Sequence, residues 1–356
     1  MRYDADRAIK RNVYFTLNKN VTGALVRVTD FGRLDAPDVL PLEEYDFPRD
    51  AHRYMDAVVA RHLRFIEAHS VFDDDYLPAT KPFLGIAEHS CFMGGEVTFG
   101  GDTSYHKPPL EDICAWREIK LDRAQPHYAL LMECMEYLHE KSLKYGFFTQ
   151  LRGADGPMDV ANAVRGNDLL YDLYDEPEEV KAFMDFCADA AAWTFKNQRP
   201  FASRVAGGYI SGMNMWMPGN SIGHISEDAS CLCSPAQYAQ FGMPYTEKLV
   251  SGCDFWQLHV HSLGRACIPY FARLPKLGIM EISSDPNQPT GLDTFKQYEA
   301  ALNGIIVKVD LNAEDVDASL DFLKTHRTII NLSAKNADEA QTALQKLREH
   351  AGFCIN

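Results

Sequence analysis

The stretch Asp254-Phe255-Trp256-Gln257-Leu258-His259-Val260-His261-Ser262-Leu263-Gly264 reads as a buried strand that runs into a turn at Gly264. Side chains alternate faces along a strand, so Gln257, His259, His261 and Leu263 point one way. Two imidazoles at i and i+2 converge on one point, which suits a metal ion or an acid/base pair. An isolated His-x-His describes equally well two rings bonded to backbone or water, so context must decide. The pair sits at the carboxyl end of its strand. In parallel α/β folds that end carries the chemistry.

Outward from this strand, short β-rich runs alternate with longer segments of helical period, the pattern of a parallel sheet. Gly23–Thr29, Pro82–Ala87, Phe147–Leu151 and Gly207–Met215 precede the His strand as expected strands. Leu277–Ser283, Gly304–Val309 and Thr328–Leu332 follow it. Helices are expected over about 48–69, 126–145, 157–164, 175–195, 292–302, 313–324 and 337–350. Another starts at Ser234-Pro235, with Ser234 as N-cap, and Asn336 caps the last. About eight strand–helix units fit an enlarged (β/α)8 barrel. A doubly wound open sheet is the alternative, disfavoured because no Gly-x-Gly-x-x-Gly follows the first strand. The chain reads as one domain over 1–356, with an N-terminal extension over 1–20. Residues 88–125, rich in Gly and Pro, form an excursion over a rim.

Composition narrows the function classes. The 356 residues carry a formal net charge of −15, which argues against a nucleic-acid or anionic-membrane surface. Nine cysteines without a Cys-x-x-Cys pair point to reduced thiols and a cytoplasmic setting rather than a disulfide framework. No uncharged apolar run has membrane-spanning length, and the N-terminus lacks a signal core.

Several segments together resemble the uroporphyrinogen decarboxylase superfamily. They are Gly156-Pro157-Met158-Asp159-Val160-Ala161-Asn162-Ala163-Val164-Arg165-Gly166, Asp172–Val180, Glu227–Tyr238 with Pro244 beyond, and His261-Ser262-Leu263-Gly264 at the family's His-x-x-Gly turn. The likeness runs over nearly the whole chain past the first strand and implies a single (β/α)8 barrel. The family includes the haem-pathway decarboxylase and methyltransferases that serve corrinoid proteins. The decarboxylases carry two Arg after the first strand, whereas Arg27 and Arg33 here are too far apart to copy that pair, and Asn162 stands where they carry Tyr. The zinc-binding methyltransferases use His-x-Cys at the turn and a later Cys. Here Leu263 replaces the first Cys, and Ile329–Ser333 lacks the second.

What the resemblance implies is therefore a methyltransferase or demethylase that passes a methyl group between a small O-, N- or S-methyl compound and a corrinoid carried by a partner protein. His259 can replace the lost zinc ligand, with His261 and with Glu281 at the end of the next strand, leaving an open position for substrate. Catalysis would rest on His261, His259 and Asp228. Asn162, Asn214, Trp216 and His106 would shape the substrate pocket. The alternatives are a tetrapyrrole carboxy-lyase, a His-x-His metal hydrolase, and a barrel that binds a tetrapyrrole or methylated ligand without turning it over. Hydrolases of that kind place the pair on the first strand, which disfavours them here. The family also implies a homodimer as one assembly.

Overall fold

The computed structural model describes residues 3–35 and 38–353. We label its parallel strands β1 (Gly23–Asp30), β2 (Ala79–Thr80), β3 (Phe148–Thr149), β4 (Ala154–Asp155), β5 (His224–Ser226), β6 (Trp256–His261), β7 (Leu277–Ser283), β8 (Ile306–Asn312) and β9 (Arg327–Ser333). Seven form one parallel sheet in the order β1-β9-β8-β7-β6-β5-β4, and β2 pairs with β3. Together with twelve α-helices among the described residues, this is an α/β architecture compatible with a TIM barrel. None of those helices is long and apolar enough to cross a membrane.

Alternation along the strands sorts the core into two faces. Val26, Val28, Leu258, Val260, Met280, Ile282, Val307, Val309, Ile330 and Leu332 pack in the large cluster shared with the helices. The residues between them face the other way. Near the amino ends that second face is apolar: Leu25, Ile279, Ile306 and Ile329 pack with Met215 and with Phe15 of the helix Ala5–Leu17. One pleat further along it turns polar, with Arg27, His259, Glu281 and Lys308. The helix Ala5–Leu17 thus covers, through Phe15, the end of the sheet opposite the histidines.

The free edge of β1 is met by carboxylates rather than by a strand ladder. Val26 N donates to Asp75 Oδ2 (2.9 Å) and Val28 N to Asp74 Oδ2 (2.7 Å), while Asp75 N donates to Val26 O (2.8 Å). These satisfy backbone groups that would be costly to bury unpaired.

Two strand expectations shift. The second strand is Ala79–Thr80, and Ile86–His89 is a 3₁₀ turn entered through Gly85 at φ 86°. The strand that precedes the histidine strand and pairs with it is β5, His224–Ser226, in place of the expected Gly207–Met215. The expected run holds Gly208–Ile210, which pairs antiparallel with Arg204–Val205 and Trp216–Pro218. Asn214, at φ 61°, reverses that chain before it can extend. Residues 88–125 include the hairpin Glu96–Gly100/Thr103–Lys107.

Caps read from sequence hold. Ser234 and Gln237 form a reciprocal capping box at Pro235–Phe241, and Asn336 accepts from Glu339 N. Ser234→Ala is expected to cost about 1 kcal/mol, because it frees a helix N–H that has no other partner. A urea midpoint that does not move would show the cap to be idle.

Candidate metal centre

The site is built on three consecutive strands, β5 to β7, and the loop that follows the first of them. β5 ends at Ser226, and the chain turns into the 3₁₀ segment Asp228–Leu232. Asp159, in the first turn of the helix Pro157–Arg165, clamps that turn. It accepts from Asp228 N (2.8 Å) and Ala229 N (2.6 Å). This fixes where the Asp228 carboxylate stands. Registration does the rest: Ser226 lies beside His259, and His259 beside Glu281, in adjacent parallel strands.

Asp228, His259 and His261 each place a ligating atom within 4.8 Å of the other two. Asp228 Oδ1 is 3.7 Å from His259 Nε2, and its Oδ2 is 3.8 Å from His261 Nε2. These gaps are too long for hydrogen bonds. Asp228 Oδ1 is buried without a hydrogen-bond partner. The rings are edge to face with centroids 5.0 Å apart. The His261 side chain is 37% exposed and that of His259 13%, so the cluster opens to solvent.

Each ring is held from behind by its own acid. His259 Nδ1 bonds Glu281, and His261 Nδ1 lies 2.7 Å from Asp285 Oδ1. A carboxylate only accepts, so both Nδ1 atoms carry a proton and both Nε2 atoms face Asp228. Asp285 is fixed in turn by Leu263 N (2.7 Å) and Ser262 Oγ (3.2 Å). Glu281 accepts from Lys308 Nζ (2.9 Å) and Ser283 Oγ (2.8 Å). From Lys308 the chain of contacts runs through Asp310 and Asn331 to Arg27.

Glu281 is therefore not a member of the triad. The expected set of His259, His261 and Glu281 becomes His259, His261 and Asp228, because Glu281 occupies the opposite ring nitrogen. The charges agree with this geometry. Burial would raise Glu281, but His259 and Lys308 hold it well below the usual carboxylate range. Burial disfavours charge on His259, but Glu281, aided by Asp228, lifts it above its ordinary value. Burial raises Asp228 against the pull of both imidazoles.

A second polar cluster lies on the neighbouring strands. Arg152 and Glu88 form a fully buried ion pair, and Arg152 NH2 is 3.3 Å from His89 Nε2. His89 Nδ1 lies 3.6 Å from Asp155 of β4. Burial and Asp228 push Asp155 up to about 8.

The other expected residues lie elsewhere. Asn162 Nδ2 donates to Gly166 O (3.2 Å) and closes its own helix. The Asn214 amide clamps Leu77, accepting from its N (3.0 Å) and donating to its O (2.6 Å). Trp216 is buried under the N-terminal helix, and its Nε1 donates to Val205 O (2.8 Å). His106 has both nitrogens engaged, by Ser90 Oγ (2.8 Å) and Gly94 O (2.6 Å). These are structural bonds, not a pocket wall beside the triad. Asp159, Asp285 and Lys308 were not expected. Lys308 had a signal, being a lone cation in the apolar run Ile305-Ile306-Val307-Lys308-Val309.

A cavity of about 810 Å³ opens beside the β1 and β2 ends, lined by residues that include Thr29, Phe31, Tyr54, His62, Phe65, Tyr76 and Lys81. None of the three triad residues lines it. We locate the chemistry by the converging donors, since cavity size alone does not identify a reactive centre.

The parallel α/β fold with a candidate three-residue metal cluster at the carboxyl ends of its strands defines the class. No family model matches the sequence, and no curated protein matches it. Among solved structures the chain is similar to a methyltransferase from Methanosarcina mazei. The two are 13% identical with a TM-score of 0.63, over 96% of this chain and 98% of that one. At that identity the likeness establishes the fold.

Proposed function

We propose that this chain is a methyltransferase or demethylase of the uroporphyrinogen decarboxylase superfamily, built on a (β/α)8 barrel. It holds zinc through Asp228, His259 and His261. It exchanges a methyl group between a small O-, N- or S-methyl compound and a corrinoid carried by a partner protein. The observation that carries this reading is the convergence of two Nε2 atoms and one carboxylate within 4.8 Å, each ring backed by its own acid. That is the arrangement of a carboxylate–histidine–zinc centre with an open position. The buried, unpartnered Asp228 Oδ1 fits a cation ligand, since such an atom is costly to leave unmatched. The fold likeness to a methyltransferase and the sequence resemblance add to it.

Zinc bound there would polarise the heteroatom that holds or releases the methyl group. The chain supplies the rest. Glu281 and Asp285 orient the rings, Asp159 holds the Asp228 loop, and Asp155 keeps a proton at neutral pH on the strand beside Ser226. Arg27 is committed to structure: its NH1 donates to Met213 O (3.0 Å) and to Asn214 O. It is not free for the carboxylates of a tetrapyrrole, which weighs against the decarboxylase reading.

The test is elemental analysis of the purified chain after zinc loading and removal of excess metal. About one zinc per chain is expected, with proton release on uptake because His259 must give up its charge. A chain that retains no zinc overturns the reading.

A further inference from the structure

Every buried Arg or Lys at this end of the sheet has a partner, whereas Lys81 is only partly buried and has none among the described residues. Lys308 bonds Glu281 and Asp310, Arg152 pairs with Glu88, and Arg27 donates to carbonyls and Asn331. Lys81, the residue after β2, has neither an acid nor a hydrogen bond among the described residues. The charge it feels is that of Arg152, which repels it; burial is the larger effect, and together they press Lys81 down to about 7. Lys81 lines the cavity of about 810 Å³. Phe31, Phe65 and Tyr76 give that cavity apolar walls. His62, 7% exposed, also lines it, and its Nε2 has no partner. At the rim the exposed Arg33 and Arg61 offset the exposed Asp30 and Asp38, so Lys81 is the uncompensated charge inside.

We propose that this cavity binds a small carboxylate with an apolar body, Lys81 serving as counter-ion. An anion would supply the partner that Lys81 lacks through a charge-assisted bond. The flat aromatic walls suit a planar or short apolar skeleton, and the volume lies in the range of small-molecule sites. Taking this anion to be the methyl compound rests on the function proposed above; the binding does not.

The test is calorimetric titration of the full chain with benzoate and, separately, its neutral isostere benzamide. Benzoate is expected to bind about 10–100-fold more tightly, the worth of one charge-assisted hydrogen bond. Lys81→Met is expected to abolish that preference while keeping the zinc content. Lys81→Arg is expected to retain the preference. Equal binding of the two probes by the native chain, no binding of either, or an undiminished preference in Lys81→Met overturns the inference. Should Lys81→Met fail to fold, the probe pair on the native chain and on Lys81→Arg still decides: a lost preference in either overturns it. A chain that holds zinc but does not prefer benzoate defeats only this inference. One that prefers benzoate through Lys81 but holds no zinc defeats only the metal reading.

Discussion

His261→Ala is expected to strip the chain of zinc and of methyl transfer while leaving it folded. Zinc sites release about 10–16 kcal/mol over four ligands, so one imidazole is worth about 3–4 kcal/mol, or about 10²–10³-fold in affinity. The fold should bear the loss. His261 is more than a third exposed, and Asp285 keeps its bonds to Leu263 N and Ser262 Oγ. The stability change should therefore stay within about 1 kcal/mol, as for surface substitutions generally. His106→Ala is the informative contrast. Its ring bonds Ser90 and Gly94 in the hairpin region and approaches none of the three donors, so that variant should lose stability and keep its metal. Zinc retained by His261→Ala, or lost by His106→Ala, places the centre elsewhere.

The histidine pair was legible because strand periodicity is a local property. Trp256, Leu258 and Val260 alternating with Gln257, His259 and His261 fix which side chains share a face without knowledge of any neighbour. The third donor was not legible in the same way. Both Glu281 and Asp228 are acids near the pair in space, and the choice between them depends on which ring nitrogen each one meets. That is set by the register of β6 against β7 and by Asp159 holding the 228 loop, contacts some 70 residues apart in the chain. The second and fourth strands were misplaced for a different reason. β5 is three residues long and reads His-Ile-Ser, too short and too polar to announce itself. Ile210, by contrast, looks like a strand and is one, but in an antiparallel piece outside the seven-stranded sheet. Asn214 and Trp216 attracted attention as polar and aromatic residues in an apolar run. Their hydrogen bonds show them spent on backbone groups of Leu77 and Val205, a use that no one-dimensional pattern separates from a pocket wall.

Glu281→Gln should be the most damaging single change to the interior of the sheet. The carboxylate is 2% exposed and joins His259 Nδ1 on one oxygen to Lys308 Nζ and Ser283 Oγ on the other. An amide of the same size cannot accept on both sides. It leaves either the imidazole or a buried ammonium facing an N–H group, a loss of about 3–5 kcal/mol for one broken member of a buried ion network. Zinc affinity should fall about 10–100-fold, since the acid behind a ligating ring sets its tautomer and direction. The metal-free protein gives an independent reading through pH. The pKa of Glu281 is lowered from 4.5, so its contribution is present above that value and lost as the pH falls. That of His259 is raised from 6.5, so its share is present below that value and lost as the pH rises through the folded pKa. Both shifts express one interaction, which therefore stabilises most between about pH 4.5 and 6.5. Urea midpoints measured across this range should show a hump in the native chain that the variant lacks. Two parallel curves would mean that Glu281 and His259 do not share a proton-linked bond, and the orienting role of the acid would go with it.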